Sequence, residues 1–243
     1  MSINWPLTLG LALGLVILVW FAVGTQWNVR KGQRVLRWLQ GGLPLLGERT
    51  TLRWYGSSAI HMQIAKAKDP FREAEVLIIL EPRDVSLLWL LARLRGRRDL
   101  MIVRGRLRHP PRFEMELADP RSWTGREALG QMRRSAWSEL SLPLTPHSPP
   151  SPLSPGLGRG ERGQGEWGEG LTLFYQSREA SERAPEFLNR LLQVSPSVAR
   201  LSFRRGDITQ FQVHIGLPDV QQANAHQLFR TFVQIVRDVM EGK

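Results

Sequence analysis

The sequence contains no cysteine, so several kinds of chemistry are excluded at once. Disulfides, thiolate nucleophiles and cysteine-ligated zinc or iron–sulfur sites all need that residue, and its absence fits a reducing compartment. Histidine is scarce, and no two histidines have the close spacing of a metal-binding pair on a helix. The five are His61, His109, His147, His214 and His226. The sequence therefore predicts no metal site and no cofactor.

No charged side chain precedes Arg30, and residues 5–23 form an unbroken apolar run. At about 1.5 Å per residue, a helix of this length spans close to the ~30 Å hydrocarbon core of a bilayer. Tryptophans near both ends suit the headgroup layer, where indole rings are favoured. These predicted interface residues are Trp5, Trp20 and Trp27. We therefore predict a short extracytoplasmic tail over residues 1–4 and a single transmembrane helix over residues 5–24.

The first charged side chains after the apolar run are all positive. They are Arg30, Lys31, Arg34 and Arg37. Because positive residues flank the cytoplasmic end of a span, we predict a cell-membrane protein with its N-terminus outside and its C-terminal domain in the cytoplasm. A cleaved signal peptide is the alternative, since Ala22 and Gly24 are suitably small. It is disfavoured because no Lys or Arg precedes the run and the run is long for a signal peptide.

Residues 25–42 form a basic segment next to the predicted span. Within it, residues 26–40 mix tryptophan, leucine and valine with the four cations, a pattern typical of an amphipathic helix on a bilayer surface. Gly32 weakens such a helix, and Gly41 with Gly42 ends it. The predicted partners of this segment are the lipid bilayer and its anionic headgroups.

The net charge of +11 is concentrated in the first part of the chain. Residues 1–140 carry 22 Lys and Arg against 12 Asp and Glu, whereas residues 141–243 carry 11 against 10. An excess beside an apolar segment favours attraction to anionic lipid over binding to nucleic acid. Nucleic acid is therefore a disfavoured partner.

Residues 141–170 are dominated by proline, serine and glycine. They hold too little apolar surface to offset the entropy of ordering, so we predict a disordered linker. Its closely spaced glycines do not predict a phosphate loop, because such a loop follows a strand and opens a helix. The linker separates a first half, residues 43–140, from a second half, residues 171–243.

Hydrophobic periodicity predicts an α+β fold, with a mixed, mainly antiparallel sheet and helices on one face. In the first half we expect a strand at 75–80, a helix at 84–95, a hairpin of 100–108 with 112–117, and a helix at 122–135. In the second we expect a strand at 171–175, a helix at 185–194, a hairpin of 199–204 with 209–215, and a helix at 219–240. Because the two halves share this order of elements, one interpretation is a duplicated β-α-β-β-α unit. A further hairpin is predicted around Gly56, Ser57 and Ser58.

Alternation along the predicted hairpins places apolar side chains on one face and arginines on the other. The candidate anion-binding residues are Arg104, Arg106, Arg108, Arg200 and Arg204. One interpretation is a platform for an anionic partner. The favoured interpretation is pairing across strands, Arg106 with Glu114 and Arg104 with Glu116. No aromatic residue lies among the outward positions, which disfavours RNA stacking.

The segment that best fits a catalytic site is Glu81-Pro82-Arg83-Asp84, where a predicted strand ends and a predicted helix begins. We favour a structural role, in which Asp84 or Ser86 caps the helix and Arg83 pairs with a nearby acid. No serine occupies a nucleophile elbow. No catalytic residue is predicted.

The sequence thus favours a membrane-tethered cytoplasmic domain that is not an enzyme and works as a binding, adaptor or regulatory module with an unknown protein partner. One alternative is a membrane-proximal enzyme acting on an anionic substrate, which requires a deep pocket holding both Arg83 and Asp84. The other is nucleic-acid binding by the arginine-bearing sheet face.

Overall fold

A computed structural model describes residues 5–142, 170–195, 197–206 and 209–242 of the chain. The helices are α1 (Trp5–Leu39), α2 (Ser86–Leu94), α3 (Trp123–Met132), α4 (Arg178–Val194) and α5 (Ala225–Glu241), with a 3-10 turn at Leu43–Leu45. The strands are β1 (Gly47–Tyr55), β2 (Ala59–Ala67), β3 (Phe71–Ile79), β4 (Leu100–Leu107), β5 (Met115–Ala118), β6 (Ser138–Leu142), β7 (Leu171–Tyr175), β8 (Val198–Phe203) and β9 (Phe211–Gly216).

These strands form one sheet in the order β1-β2-β3-β4-β9-β8-β5-β7-β6, and every neighbouring pair is antiparallel. The predicted α+β class is confirmed. Strands β8 and β9 lie between β4 and β5, so the two halves of the chain share one sheet.

Two predicted hairpins are confirmed and one is wrong. Strands β1 and β2 pair around Gly56-Ser57-Ser58, and β8 pairs with β9. Strands β4 and β5 do not pair, because β4 lies between β3 and β9 while β5 lies between β7 and β8. The expected pairs of Arg106 with Glu114 and Arg104 with Glu116 are therefore wrong. The β-α-β-β-α order recurs along the chain, but the two copies pair their strands differently.

Several element boundaries differ from the sequence prediction. Strand β6 was not predicted, and it includes Ser141 and Leu142 from the expected linker. Residues 143–169 of that linker lie outside the described residues. Helix α4 begins at Arg178, where the side chain of Ser177 accepts from the Ala180 N–H, and it contains Pro185 internally. Helix α5 begins at Ala225 rather than at residue 219.

The main core lies between one face of the sheet and helices α4 and α5. Its strand residues have the predicted parity, with Met101, Val103 and Leu117 fully buried. Helix α3 packs on the opposite face, where Leu129 and Met132 join a smaller apolar cluster. The expectation of helices on one face therefore describes α4 and α5, whereas α3 covers part of the other face.

Helix α1 continues unbroken from the apolar run into the domain. Its side chains up to Val23 are exposed. Beyond them one face is buried, at Gly24, Asn28, Gly32, Val35 and Leu39. This three- and four-residue spacing is that of a helix face packed against protein. The prediction that residues 26–40 lie along a bilayer surface is therefore wrong for this buried face.

Gly32 has a different role from the one predicted. A Cβ atom at this position would lie 2.4 Å from the Trp54 ring. The glycine thus permits close packing of α1 on the β1–β2 hairpin without ending the helix. The helix stops at Leu39, just before Gly41 and Gly42, as the sequence predicts.

Candidate functional site

A cluster of charged side chains lies between β3 and α2, around residues 81–84, which we call the corner. Helix α1 crosses it in backbone contact, since a Cβ on Gly24 would lie 2.2 Å from the Arg83 carbonyl oxygen. One turn later, Asn28 is fully buried and its amide donates to the Glu81 carbonyl over 3.0 Å. The helix is thereby fixed against the corner by contacts that only a small residue and an amide provide.

Asp99, just before β4, is the centre of the charged cluster at the corner. Its carboxylate accepts hydrogen bonds from Arg83 at 3.0 and 3.2 Å, from the Lys31 ammonium of α1, and from the Glu81 N–H at 2.7 Å. Burial by itself would raise the pKa of Asp99, but the hydrogen bonds from Arg83, Lys31 and the Glu81 N–H outweigh it, and the pKa lies below its usual 3.8. Asp99 therefore stays ionised and holds α1, the corner and β4 together.

Glu81 is the second buried acid of the corner. Its carboxylate accepts a hydrogen bond from the Trp89 indole N–H at 2.7 Å and lies 3.5 Å from Arg83 and 3.6 Å from Arg93. The Arg83 guanidinium also donates to the Asn28 side-chain oxygen at 3.1 Å. Both buried acids thus have a positive charge beside them, which is what burial of an acid requires.

The predicted roles of the corner residues are confirmed in part. Arg83 does pair with nearby acids. The capping prediction is wrong, because the residue before α2 is Val85 and no side chain in the described residues caps the helix. Asp84 instead accepts a hydrogen bond from the Ser57 hydroxyl at 2.7 Å, which links the corner to the β1–β2 turn.

A groove of about 760 Å³ runs between α1 and α2 beside the corner. One wall is apolar and comes from α1, including Val16, Val19 and Val23, while Trp89 and Arg93 of α2 contribute to the other. Arg83 lines the groove but Asp84 does not. The enzyme alternative required a pocket holding both residues, and this groove does not meet that condition.

The predicted membrane-interface residues divide into two groups. Trp5, Trp27, Arg30, Arg34 and Arg37 are exposed. The other two contact the domain. Half-buried Lys31 binds Asp99, and Trp20, which is exposed as well, donates its indole N–H to the Arg83 carbonyl at 3.1 Å while its ring lies 6.3 Å from that of Trp89.

Two of the candidate anion-binding arginines lie on the sheet face that α3 partly covers, which we call the polar sheet face. There Glu116 is fully buried and accepts hydrogen bonds from the Arg200 and Arg204 guanidiniums and from the Ser202 hydroxyl. A single carboxylate thus satisfies two neighbouring cations.

The other three candidate arginines lie in β4 or just after it. Arg104 is 3.6 Å from Glu75, Arg106 is 3.8 Å from Glu73, and Arg108 donates to the Ala67 carbonyl at 3.2 Å. Arginine does pair with glutamate across neighbouring strands, as predicted, but the glutamates are Glu75 and Glu73 of β3 rather than Glu116 and Glu114. Binding of an external anion by these five arginines stays a prediction.

His214 is a buried titratable group on the polar sheet face. Burial, and then the positive charges of Arg200 and Arg104, lower its pKa to about 3. Its Nε2 atom contacts the Gln212 amide, and its Nδ1 atom has no hydrogen-bond partner among the described residues. His214 is therefore held neutral. Within the described ranges, no three His, Asp or Glu side chains are grouped so that they could hold a metal ion.

Sequence reasoning missed Asn28, Asp99 and Trp89. Asp99 is separated along the chain from its partners Arg83 and Lys31, so no local spacing points to it. A signal did exist in α1, where Gly24, Asn28 and Gly32 recur every four residues and mark a face too small and polar for lipid.

No protein-family model matches the chain, and no curated protein is significantly similar to it. The structure itself defines the class: an antiparallel α+β domain joined to a helix that, by length and composition, could cross a membrane. Among the described residues α1 is the one helix with this property, and it fits either an anchor or a signal sequence.

Proposed function

We propose that this chain is a single-pass membrane protein whose domain lies on the cytoplasmic side of the cell membrane and acts by binding a protein partner. The observation that carries the proposal is the continuity of α1, which leaves the exposed apolar run and enters the domain without a break. A rigid connection of this kind holds a domain at a fixed height and orientation, as an adaptor or assembly subunit requires.

The contacts at the corner support a retained anchor over a cleaved signal sequence. Cleavage near Ala22 would remove Trp20, whose indole donates to the Arg83 carbonyl. It would also create a charged terminus beside buried Gly24, where α1 has no room for extra atoms. The exposed cations Arg30, Arg34 and Arg37 support the cytoplasmic placement of the domain.

Binding is favoured over catalysis because the buried acids of the corner are already satisfied. Catalytic acids and bases usually lie in a cleft and have a pKa matched to proton transfer at the working pH. Here Glu81 lies beside Arg83 and Arg93, and Asp99 accepts from Arg83, Lys31 and a backbone N–H. These interactions hold elements together and leave neither buried acid free to transfer a proton.

The absence of cysteine allows a direct test of the anchor and its orientation. Ser2→Cys and Lys68→Cys would each give a protein with one thiol. A membrane-impermeant maleimide should label Ser2→Cys in intact cells, and Lys68→Cys only after permeabilisation. Labelling of Lys68→Cys in intact cells, or a mature protein beginning near Thr25 by mass spectrometry, would overturn the placement.

The binding role is tested by in-cell cross-linking followed by purification of the full chain from its native membrane. We expect one protein to be recovered at fixed stoichiometry, in lower yield from a Gly24→Leu variant that displaces α1 from the corner. Gly14→Leu serves as the matched control, because among the described residues a Cβ at that position would meet nothing within 4 Å outside the neighbouring backbone of its own helix. A turnover activity that is lost in Glu81→Gln or Asp84→Asn would contradict the proposal.

A further inference from the structure

Helix α2 exposes an unusual amount of apolar surface for a helix of a folded domain. Only Ala92 is buried among its nine residues. Leu87 and Leu94 are 68% and 75% exposed, and Leu88, Leu90 and Leu91 are exposed as well. These five leucines cover one broad side of the helix, since they recur at spacings of one, three and four residues. Contiguous exposed apolar surface marks a site of contact with another molecule or with a membrane.

The position of α2 identifies what covers this surface. The ring centroids of Trp89 in α2 and Trp20 in α1 lie 6.3 Å apart. The groove between the two helices is lined on the α1 side by Val16, Val19 and Val23. Those valines belong to the exposed apolar run of α1. From Gly24, which contacts the corner, to Val16 the helix rises by about 12 Å. Helix α2 therefore lies beside the part of α1 that enters the bilayer.

The charges around α2 have the arrangement of a bilayer interface. Arg93, Arg95, Arg97 and Arg98 are all exposed and lie at or just beyond the C-terminal end of the helix. The chain turns sharply between them at Gly96, whose φ is +74°. Arginine heads in the headgroup layer beside leucines in the acyl region are the pattern of an interfacial amphipathic helix.

The side of α2 that faces the domain is also compatible with a position at the bilayer interface. The Trp89 indole donates to the Glu81 carboxylate, and the Arg93 guanidinium lies 5.7 Å from the Trp89 ring centroid and 3.6 Å from the same carboxylate. The buried acid beneath the helix is thereby hydrogen-bonded and paired. An unpaired acid at this depth would strongly oppose insertion.

We propose that α2 is a second membrane-contacting element, which inserts its leucines into the cytoplasmic leaflet beside α1 and places its arginines against anionic headgroups. The inference rests on the proposed anchor, because the bilayer must surround the apolar run of α1. The groove between α1 and α2 then opens into the acyl region and is filled by lipid. The protein then contacts the membrane at two points, which fixes the orientation of the domain relative to the bilayer.

The test uses the full chain with one nitroxide-labelled cysteine, reconstituted into phosphatidylcholine vesicles with and without phosphatidylglycerol. Leu87→Cys reports on α2 and Leu11→Cys on the apolar run of α1. Lys68→Cys is the water-exposed control, since β3 separates it from the corner by roughly 30 Å. Oxygen, which enters hydrocarbon, and a polar nickel chelate, which does not, are compared as relaxation agents.

At Leu87 the ratio of oxygen to nickel accessibility should resemble that at Leu11. It should exceed the ratio at Lys68 by about tenfold, because a polar chelate is excluded from hydrocarbon. Phosphatidylglycerol should increase the ratio at Leu87. If Leu87 resembles Lys68 while Leu11 stays protected, the inference is wrong and the anchor stands.

Two further outcomes would also overturn the inference. If Leu11 is open to the nickel chelate, the anchor itself fails and the contact of α2 with lipid fails with it. A strong spin–spin interaction at Leu87 that disappears on dilution with unlabelled protein would show that a second copy of the chain, rather than lipid, covers α2.

Discussion

Gly24 of α1 and Arg83 of the corner meet backbone to backbone, and a methyl group on Gly24 would lie 2.2 Å from the Arg83 carbonyl oxygen. Such a contact leaves no room for a side chain between α1 and the corner. The buried Asn28 amide, one turn further along, sets the rotation of the helix through its bond to Glu81. Helix α1 is therefore held against the domain by direct contacts at the corner as well as by the chain connection.

Replacing Gly24 with a larger residue should displace α1 from the corner. Gly24→Leu inserts four carbons where no space exists, and overpacking of this kind costs about 1–3 kcal/mol. Thermal unfolding of the full chain in detergent, followed by near-ultraviolet circular dichroism, should show a lower midpoint. Gly14→Leu, on the exposed part of the same helix, should leave the midpoint unchanged. Equal midpoints for the two variants would show that α1 is not held at the corner.

Asp99→Asn should destabilise the domain more strongly. The substitution keeps the shape of the side chain but removes the charge that Lys31 and Arg83 share, and it leaves Arg83 with Glu81, 3.5 Å away. Breaking a mostly buried pair costs about 3 kcal/mol. The effect is measured by chemical denaturation at neutral pH. Glu48→Gln is the control, because Glu48 is exposed and lies 4.0 Å from exposed Lys66. A cost as small as that of the control would mean that Asp99 contributes no net stability.

The pKa of Asp99 gives this interaction a pH dependence with a definite sign. The folded-state pKa lies below the ordinary 3.8. The stabilisation is therefore fully present above pH 3.8 and is lost as the pH falls through the lower folded-state value. Asp99→Asn should lack this loss, so the difference in stability between the two proteins should shrink below about pH 4.

The long apolar helix and the strand faces were predictable because both follow from local patterns. An unbroken apolar run needs no knowledge of its neighbours, and the alternation of Met101 and Val103 with Arg104 places their side chains correctly. The same alternation could not tell which strand lies beside β4. Phe113 and Met115 face the main core in either arrangement, and the short separation of the two strands in sequence favoured a hairpin that is not formed.

The corner was only partly predictable for a related reason. That Arg83 pairs with an acid follows from the charges around it. The partners Asn28 and Lys31 arrive from α1, more than fifty residues earlier in the chain. The polar character of residues 26–40 suggested a bilayer surface, because an amphipathic face does not reveal whether lipid or protein covers it.

Glu116→Gln should have one of the largest effects of any substitution on the polar sheet face. The carboxylate is fully buried between Arg200, which is 14% exposed, and Arg204. Gln keeps one acceptor oxygen but carries no charge, so Arg200 and Arg204 lose the acid between them. Breaking a buried pair in this way costs about 3–5 kcal/mol. Chemical denaturation measures the change.

A matched control on the same sheet distinguishes burial from pairing. Glu73→Gln removes an acid that is 65% exposed and lies 3.8 Å from Arg106. Exposed pairs contribute about 0–1 kcal/mol, so this variant should unfold almost as the wild type does. A similar decrease in the free energy of unfolding for both variants would contradict the conclusion that buried Glu116 stabilises this face through Arg200 and Arg204.

His214 should make the domain sensitive to mild acid. Its folded-state pKa is about 3, whereas an unfolded histidine titrates near 6.5. Between these values the unfolded chain binds a proton that the folded chain does not, so stability present above pH 6.5 is lost as the pH falls toward 3. The slope reaches at most about 1.4 kcal/mol per pH unit.

Denaturation of the wild type and of His214→Gln across about pH 7 to about 4.5 measures this contribution, since Asp99 titrates below the window. The wild type should lose up to about 2–3 kcal/mol more than the variant over that range. His226→Gln, an exposed position on α5, should keep the wild-type slope. Equal slopes for wild type and His214→Gln would show that the histidine takes up a proton in the folded state, and that Arg200 and Arg104 do not hold it neutral.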